Sequence, residues 1–215
     1  LVTRGEFMGG VAAVAAAPAA AGLQLRFELY ARYYSRQLQI VPAIDPQVFV
    51  SDPSVLVGGI GLQNIEHIAG LRALTLDGPD LPLFTADGVH MGFTSKRWIG
   101  ASGTGTVADL GNGAQRITLS FENLVVFGTY SLFKHFVGAS GVTLVPLDGT
   151  GRTSAFTADA LGSARLAVQT PQALDPNGAI TLVYNSDGKP HRETPGPIGL
   201  TAHDHLIATL NDQPA

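Results

Sequence analysis

The chain has 215 residues, 45% of them hydrophobic, which is enough to enclose one full core, and the length fits one domain with an added element better than two independent ones. A formal net charge of −4 without any Lys/Arg cluster gives no footprint for nucleic acid, and the lack of cysteine excludes disulfides, thiolate metal sites and cysteine nucleophiles. No uninterrupted apolar run reaches the roughly 20 residues that a membrane helix needs, so a membrane-spanning protein is not expected.

Residues 1–22 divide into LVTRGEF, which reads as a cleaved-tag and cloning-site remnant, and the Ala-rich run Met8–Gly22, whose small-residue triplets suit signal peptidase. The expected location is therefore extracytoplasmic, periplasmic or secreted, with a flexible Ala/Pro linker as the other reading of the same run. Residues 23–70 read as an N-terminal arm. Within it Leu23, Leu25, Phe27 and Leu29 alternate as in a half-buried strand, while Leu23, Phe27, Tyr30, Tyr34 and Leu38 follow helical spacing. Residues 23–30 fit either structure, and residues 31–39 favour one short helix. Pro46 and Pro53 then push their preceding residues out of the helical region, which predicts extended segments and turns over residues 40–62. The arm carries apolar side chains such as Phe27, Tyr33, Phe49, Leu56 and Val57 without a periodic plan for a core of its own. It is expected either to wrap its own domain or to dock, through residues 23–62, on a protein partner or a second copy of the chain.

From residue 71 to 211 the pattern is regular. LRALTL, the hairpin LPLFTADGVHMGF with Asp87-Gly88 at its tip, one helical turn after Thr94, and then GTGTVADL, QRITLSFENL, GTYSLFKHF, GVTLVPL, TSAFTA, SARLAVQT, ITLVYNS and HLIATL follow one another with turn signals between them. High counts of glycine (26) and proline (13) with only 14% charged residues fit short strands and tight turns. The predicted fold is all-β, an antiparallel β-sandwich of about 8–10 short strands with an N-terminal arm containing one short helix. Its inward positions are predicted at Val107, Ile117, Leu119, Phe121, Tyr130, Leu132, Phe156, Leu166, Val168, Leu182, Tyr184, Leu206 and Ala208.

Chemistry-bearing residues gather in the last third. His203 and His205 fall on one face if their segment is a strand, and His191 follows a turn. Three imidazoles can hold copper or zinc with an open position, with Asp187 or Asp204 orienting a ring. Hydrogen-bonded turn and rim histidines are the alternative. His135 and Asn185, at strand ends, are further candidates for touching a ligand. Trp98 with Phe93, Phe133 and Phe136 can be an aromatic platform, although a lone tryptophan more often fills a core. No catalytic residue is singled out: Gly138-Ala139-Ser140-Gly141 is not a G-x-S-x-G elbow, no carboxylate pair stands out by spacing, and the loops at Asp77 and Asp148 read as turns.

The run ITLSFENLVVFGTYSLFKH is similar to the corresponding stretch of superoxide-dismutase-like and chordin-repeat sandwiches. A closer resemblance, over roughly residues 80–210, is to uncharacterised exported bacterial β-sandwich proteins. It is carried by YSLFKH ending at His135, PLDGTG from Pro146, VYNSDGKPH ending at His191 and AHDHLIA from Ala202. This resemblance implies the sandwich fold and export, and no particular activity. Tyr130, Ser131, Leu132 and Phe133 occupy the strand that would supply a dismutase His-x-His pair, so dismutase activity is not expected. The leading expectation is a non-catalytic extracytoplasmic binding or accessory subunit that assembles through its arm. A histidine-ligated copper or zinc protein and a small-ligand or glycan-binding module are the alternatives.

Overall fold

Alternation of apolar and polar side chains organises the longest strands, because one face of each must be buried while the other meets water or a covering element. The computed structural model describes residues 22–138 and 141–211. The tag-like and signal-like segment 1–22 lies outside the described residues except for Gly22. In chain order the elements are β1 (Leu23–Leu29), α1 (Tyr30–Gln37), β2 (Ile44–Ser51), β3 (Gly59–Ile60), β4 (Glu66–His67), β5 (Leu71–Thr75), β6 (Pro82–Phe84), β7 (His90–Thr94), α2 (Ser95–Ile99), β8 (Ser102–Asp109) and β9 (Gln115–Glu122). They continue with β10 (Thr129–Gly138), β11 (Gly141–Pro146), β12 (Ala155–Thr157), β13 (Ala164–Thr170), β14 (Ala179–Asn185) and β15 (Ala202–Thr209). The chain is thus mostly β, and every pairing between these strands is antiparallel.

Among the described residues the large sheet runs β11-β10-β14-β15-β1-β8-β9-β13, with β12 also paired to β10, and a second sheet runs β5-β2-β6-β7. Both sheets supply side chains to one apolar cluster: Leu25, Phe27, Val107, Ile117, Leu119, Phe121, Leu132, Leu182 and Leu206 from the first, and Val48, Val50, Leu74 and Leu83 from the second. The inward positions predicted from period two all belong to this cluster or pack against it. Opposite Phe121, the inward position of β8 is Gly103. A Cβ there would lie 2.4 Å from the Phe121 ring, so only glycine lets that ring settle between β8 and β1.

The segment read as an arm is built into this architecture. Residues 23–29, which fitted strand or helix equally, form a strand because Leu23–Phe27 pair with Gly103–Val107 on one side and Glu28 and Leu29 pair with Ile207 and Leu206 on the other. Neighbouring strands that take up both edges decide what local periodicity leaves open. The helix expected over residues 31–39 is α1. Thr94 precedes α2 as expected but makes no capping bond; Asp80 accepts the Lys96 N–H at 2.9 Å instead. The Asp87-Gly88 hairpin tip is present, with Gly88 at φ 86°.

One irregularity in β15 sets up the site. Leu182 pairs with Leu206 but Val183 pairs with Asp204, so His205 is an extra residue, a β-bulge. Without it, side chains two residues apart would share a face and His203 and His205 would oppose Leu206 and Ala208. The bulge lets His203, His205, Leu206 and Ala208 all turn toward the core while Asp204 and Ile207 turn to the outer face.

Candidate ligand pocket

The bulge places the two strand histidines deep in the protein. The His205 ring stacks on Trp98 with centroids 3.6 Å apart and 6° between planes. Its Nε2 lies 2.8 Å from the Trp98 carbonyl and its Nδ1 3.4 Å from the Tyr130 hydroxyl. The carbonyl can only accept, so Nε2 carries the proton. His203 holds the Gln47 carbonyl through Nδ1 at 3.0 Å and meets Ser186 Oγ through Nε2 at 3.1 Å. Burial pushes the two imidazoles down, to about 4 for His203 and about 3 for His205, so both are neutral near pH 7. Trp98, 1% exposed, is a core residue, and its indole N–H donates to Asp45 at 2.8 Å.

His191 stands elsewhere, in the loop after β14, where its Nε2 meets Asp187 at 3.1 Å and its ring packs against Gly196. Asp187 is thus a partner of His191, whereas the Asp204 carboxyl meets the Gln47 amide rather than a histidine ring. Among the described residues no group of three or more His, Cys, Asp or Glu side chains is disposed to hold a metal ion. The Asp148 loop is a turn: its carboxylate accepts the N–H groups of Thr150, Gly151 and Thr153 and the Thr153 hydroxyl. Burial opposes ionisation there, yet those bonds hold the carboxyl down at about 2. Asn185 is buried and donates to Ser131 Oγ at 3.0 Å, and its Oδ1 has no hydrogen-bond partner.

The outer face of the large sheet carries a different constellation. A pocket of about 840 Å³ lies between α1, the β10–β11 hairpin and the loop at residues 195–198, within the range of small-molecule sites. Tyr30, Tyr33, Tyr34 and Leu38 from α1 form one wall, His135, Val137, Val142 and Leu144 another, and Pro195, Gly196 and Ile198 a third. Helical spacing brings the three tyrosines together: Tyr33 and Tyr34 follow Tyr30 by three and four residues, and their ring centroids lie 6.4 and 6.0 Å from that of Tyr30. His135 closes on Tyr30 from β10 at 6.2 Å and bonds Thr181 Oγ1 through Nδ1 at 3.0 Å.

Polar groups converge at the floor. β1 accompanies β15 only as far as Leu29, and beyond that point the backbone N–H of Asp204 is held by Gln47 Oε1 at 2.6 Å. Gln47 Nε2 donates both to Asp204 Oδ2 at 3.0 Å and to Gln63 Oε1 at 2.8 Å, and Gln63 Nε2 donates to the Tyr30 hydroxyl at 2.9 Å. These bonds leave Asp204 Oδ1 without a partner. They also leave the Tyr30 hydroxyl hydrogen free to donate, because Tyr30 Oη is the acceptor from Gln63.

Burial raises Asp204 to about 6 against the Gln47 hydrogen bond, and raises Asp45 beside it to about 6 as well. Tyr30 is raised chiefly by burial and next by the charge of Asp204, and Tyr34 by burial; burial lowers His135, which is neutral at pH 7. Among the described residues that line the pocket there is no Lys or Arg, and Asp204 is the one carboxyl.

The histidine pattern in the sequence points to the inner face. It includes His135, which lines the pocket, but gives no sign of Tyr30, Tyr33, Tyr34, Gln47 and Gln63, and it leaves Asp204 only a supporting part. The signal that could have found the pocket is the Tyr30, Tyr34, Leu38 stripe. Comparison with protein families finds no match for this chain, and no curated protein matches it.

Proposed function

We propose that the chain is a non-catalytic small-ligand-binding module whose two sheets form an antiparallel β-sandwich and whose ligand enters the pocket beside α1. One observation carries this reading: a buried carboxyl with an unpartnered oxygen lies at the floor of a pocket of about 840 Å³ walled by tyrosine and aliphatic side chains. A buried acceptor without a partner costs free energy in the empty protein, and a ligand donor removes that cost. Apolar walls supply affinity by excluding water, and the Asp204 carboxyl and Tyr30 hydroxyl fix orientation. The small-residue triplets of Met8–Gly22 and the resemblance to exported sandwich proteins support an extracytoplasmic setting. Of the apolar side chains that argued for an assembly arm, Phe27, Leu29, Val48, Phe49 and Val50 are buried within the chain, which takes weight from the accessory-subunit reading, while Leu56 and Val57 stay exposed. No helix among the described residues is long and apolar enough to cross a membrane.

The test is titration with N-phenyl-1-naphthylamine, a neutral aromatic probe with one N–H donor that brightens in apolar surroundings. Fluorescence is expected to saturate at one probe per chain. Val142→Trp, which fills the pocket mouth from a position 56% exposed, is expected to weaken binding about tenfold or more without unfolding the protein. No saturable binding, or binding unchanged by Val142→Trp, refutes the proposal.

A further inference from the structure

The floor of the pocket is chemically one-sided. Asp204 is 6% exposed and lines the cavity, and one of its oxygens has no protein partner. The polar side chains nearest to it are carboxamides and a phenol, linked through Gln47 and Gln63 to Tyr30, and none of them carries positive charge. The other ionisable groups whose fields couple to this carboxyl are Tyr30 on α1 and Asp45 on β2, a phenol and a second carboxyl. His135, on β10, lines the same cavity and is kept neutral by burial. Arg36 lies 5.8 Å over the Tyr33 ring and is already paired in a two-bond fork with Glu28, at 2.6 and 2.9 Å. The site therefore presents a buried acid in a cavity that three tyrosines also line, with no protein cation lining it among the described residues.

We propose that the ligand of this pocket is an organic monocation, an amine or ammonium whose charge sits against Asp204 and the tyrosine rings while its hydrocarbon part lies on Leu144 and Ile198. A desolvated carboxylate attracts a cation far more strongly than it attracts a neutral donor, and tyrosine ring faces add cation–π attraction. The carboxylate oxygen that the cation does not take, Oδ2, already accepts from the Gln47 amide. This inference rests on the pocket reading above and names the ligand class for the same site.

Calorimetric titration of the full chain at pH 8 with phenethylamine and with its neutral isostere 2-phenylethanol tests it. The amine is expected to bind about tenfold or more tightly than the alcohol, and Asp204→Asn, shown to be folded by circular dichroism, is expected to erase the difference. On the unsubstituted protein the affinity for the amine is expected to fall as the pH drops through 6, with the affinity for the alcohol unchanged, which keeps the test independent of how the variant folds. Equal affinities, or no amine binding while the naphthylamine still binds, overturns the cation proposal and leaves the pocket standing. Loss of naphthylamine binding in the unsubstituted protein removes the pocket reading itself.

Discussion

Replacing Asp204 with Asn is expected to stabilise the fold at pH 8 and to have little effect at pH 4. In the folded state burial holds this carboxyl at about 6, against an ordinary value of 3.8. Each pH unit of separation corresponds to about 1.4 kcal/mol, so ionisation costs the folded protein about 3 kcal/mol at pH 8. Because the folded pKa is the higher one, this contribution to stability is fully present below pH 3.8 and is lost as the pH rises through 6. The amide cannot ionise, and its carbonyl oxygen can still accept the Gln47 bond. The variant should therefore exceed the parent by about 3 kcal/mol at pH 8, with the gap shrinking below about 1 kcal/mol at pH 4. Urea unfolding followed by the fluorescence of Trp98, the single tryptophan and 1% exposed, measures it at both pH values. A gap independent of pH, or a variant less stable at pH 8, would refute the assignment of Asp204 as a desolvated, ionisable carboxyl.

The buried histidines act in the opposite sense: with pKa values pushed down to about 4 and about 3, His203 and His205 contribute stability that is present above 6.5 and is lost as the pH falls through those values. Acid unfolding below pH 4, followed by circular dichroism, is the expected result, and a fold intact at pH 2 contradicts it. His205→Ala removes the stack on Trp98 and unpairs its carbonyl, and should cost about 3–5 kcal/mol in urea unfolding; a loss under about 1 kcal/mol would mean the ring is not held as described. Leu119→Ala and Leu182→Ala, at positions 1% and 0% exposed, should each cost about 2–5 kcal/mol, and no loss at either would overturn the strand phasing. Phe27→Ala breaks the edge-to-face contact with Phe121 at 5.1 Å and should cost about 3–5 kcal/mol. A chain without residues 23–29 should show no cooperative unfolding transition, since β8 and β15 would lose the strand between them; a folded truncated chain would contradict the described sheet order.

Strand phasing over residues 71–211 was legible because the inward side chains recur every second residue and the turns carry Gly and Asp, as at Asp87-Gly88. The same rule misled at β15. Period two set His203 with His205 and, separately, Leu206 with Ala208, and these pairs share the inner face only through the extra residue at His205. Bulges arise from how two particular strands fit, so one strand's pattern does not display them. Tyr30 and Tyr34 stood in a recognisable helical stripe, but the partners that turn that stripe into a pocket wall, His135 and Asp204, lie more than 100 residues away. Gln47 is a comparable case: nothing local predicts that its amide will take the place of a neighbouring strand.

The interior position of β1 bears on how the protein is made. Leu29 emerges from the ribosome long before its partner Leu206, and β15 is also the strand on which β14 closes. Until then β1 and β14 present open edges with no strand between them. Such long-range closure predicts slow folding, and a nascent chain that must shield unpaired edges until β15 arrives. A permutant that joins the present termini and opens the chain at the Gly111-Asn112-Gly113 turn would bring β15 and β1 close in sequence, and its refolding should be faster at similar stability.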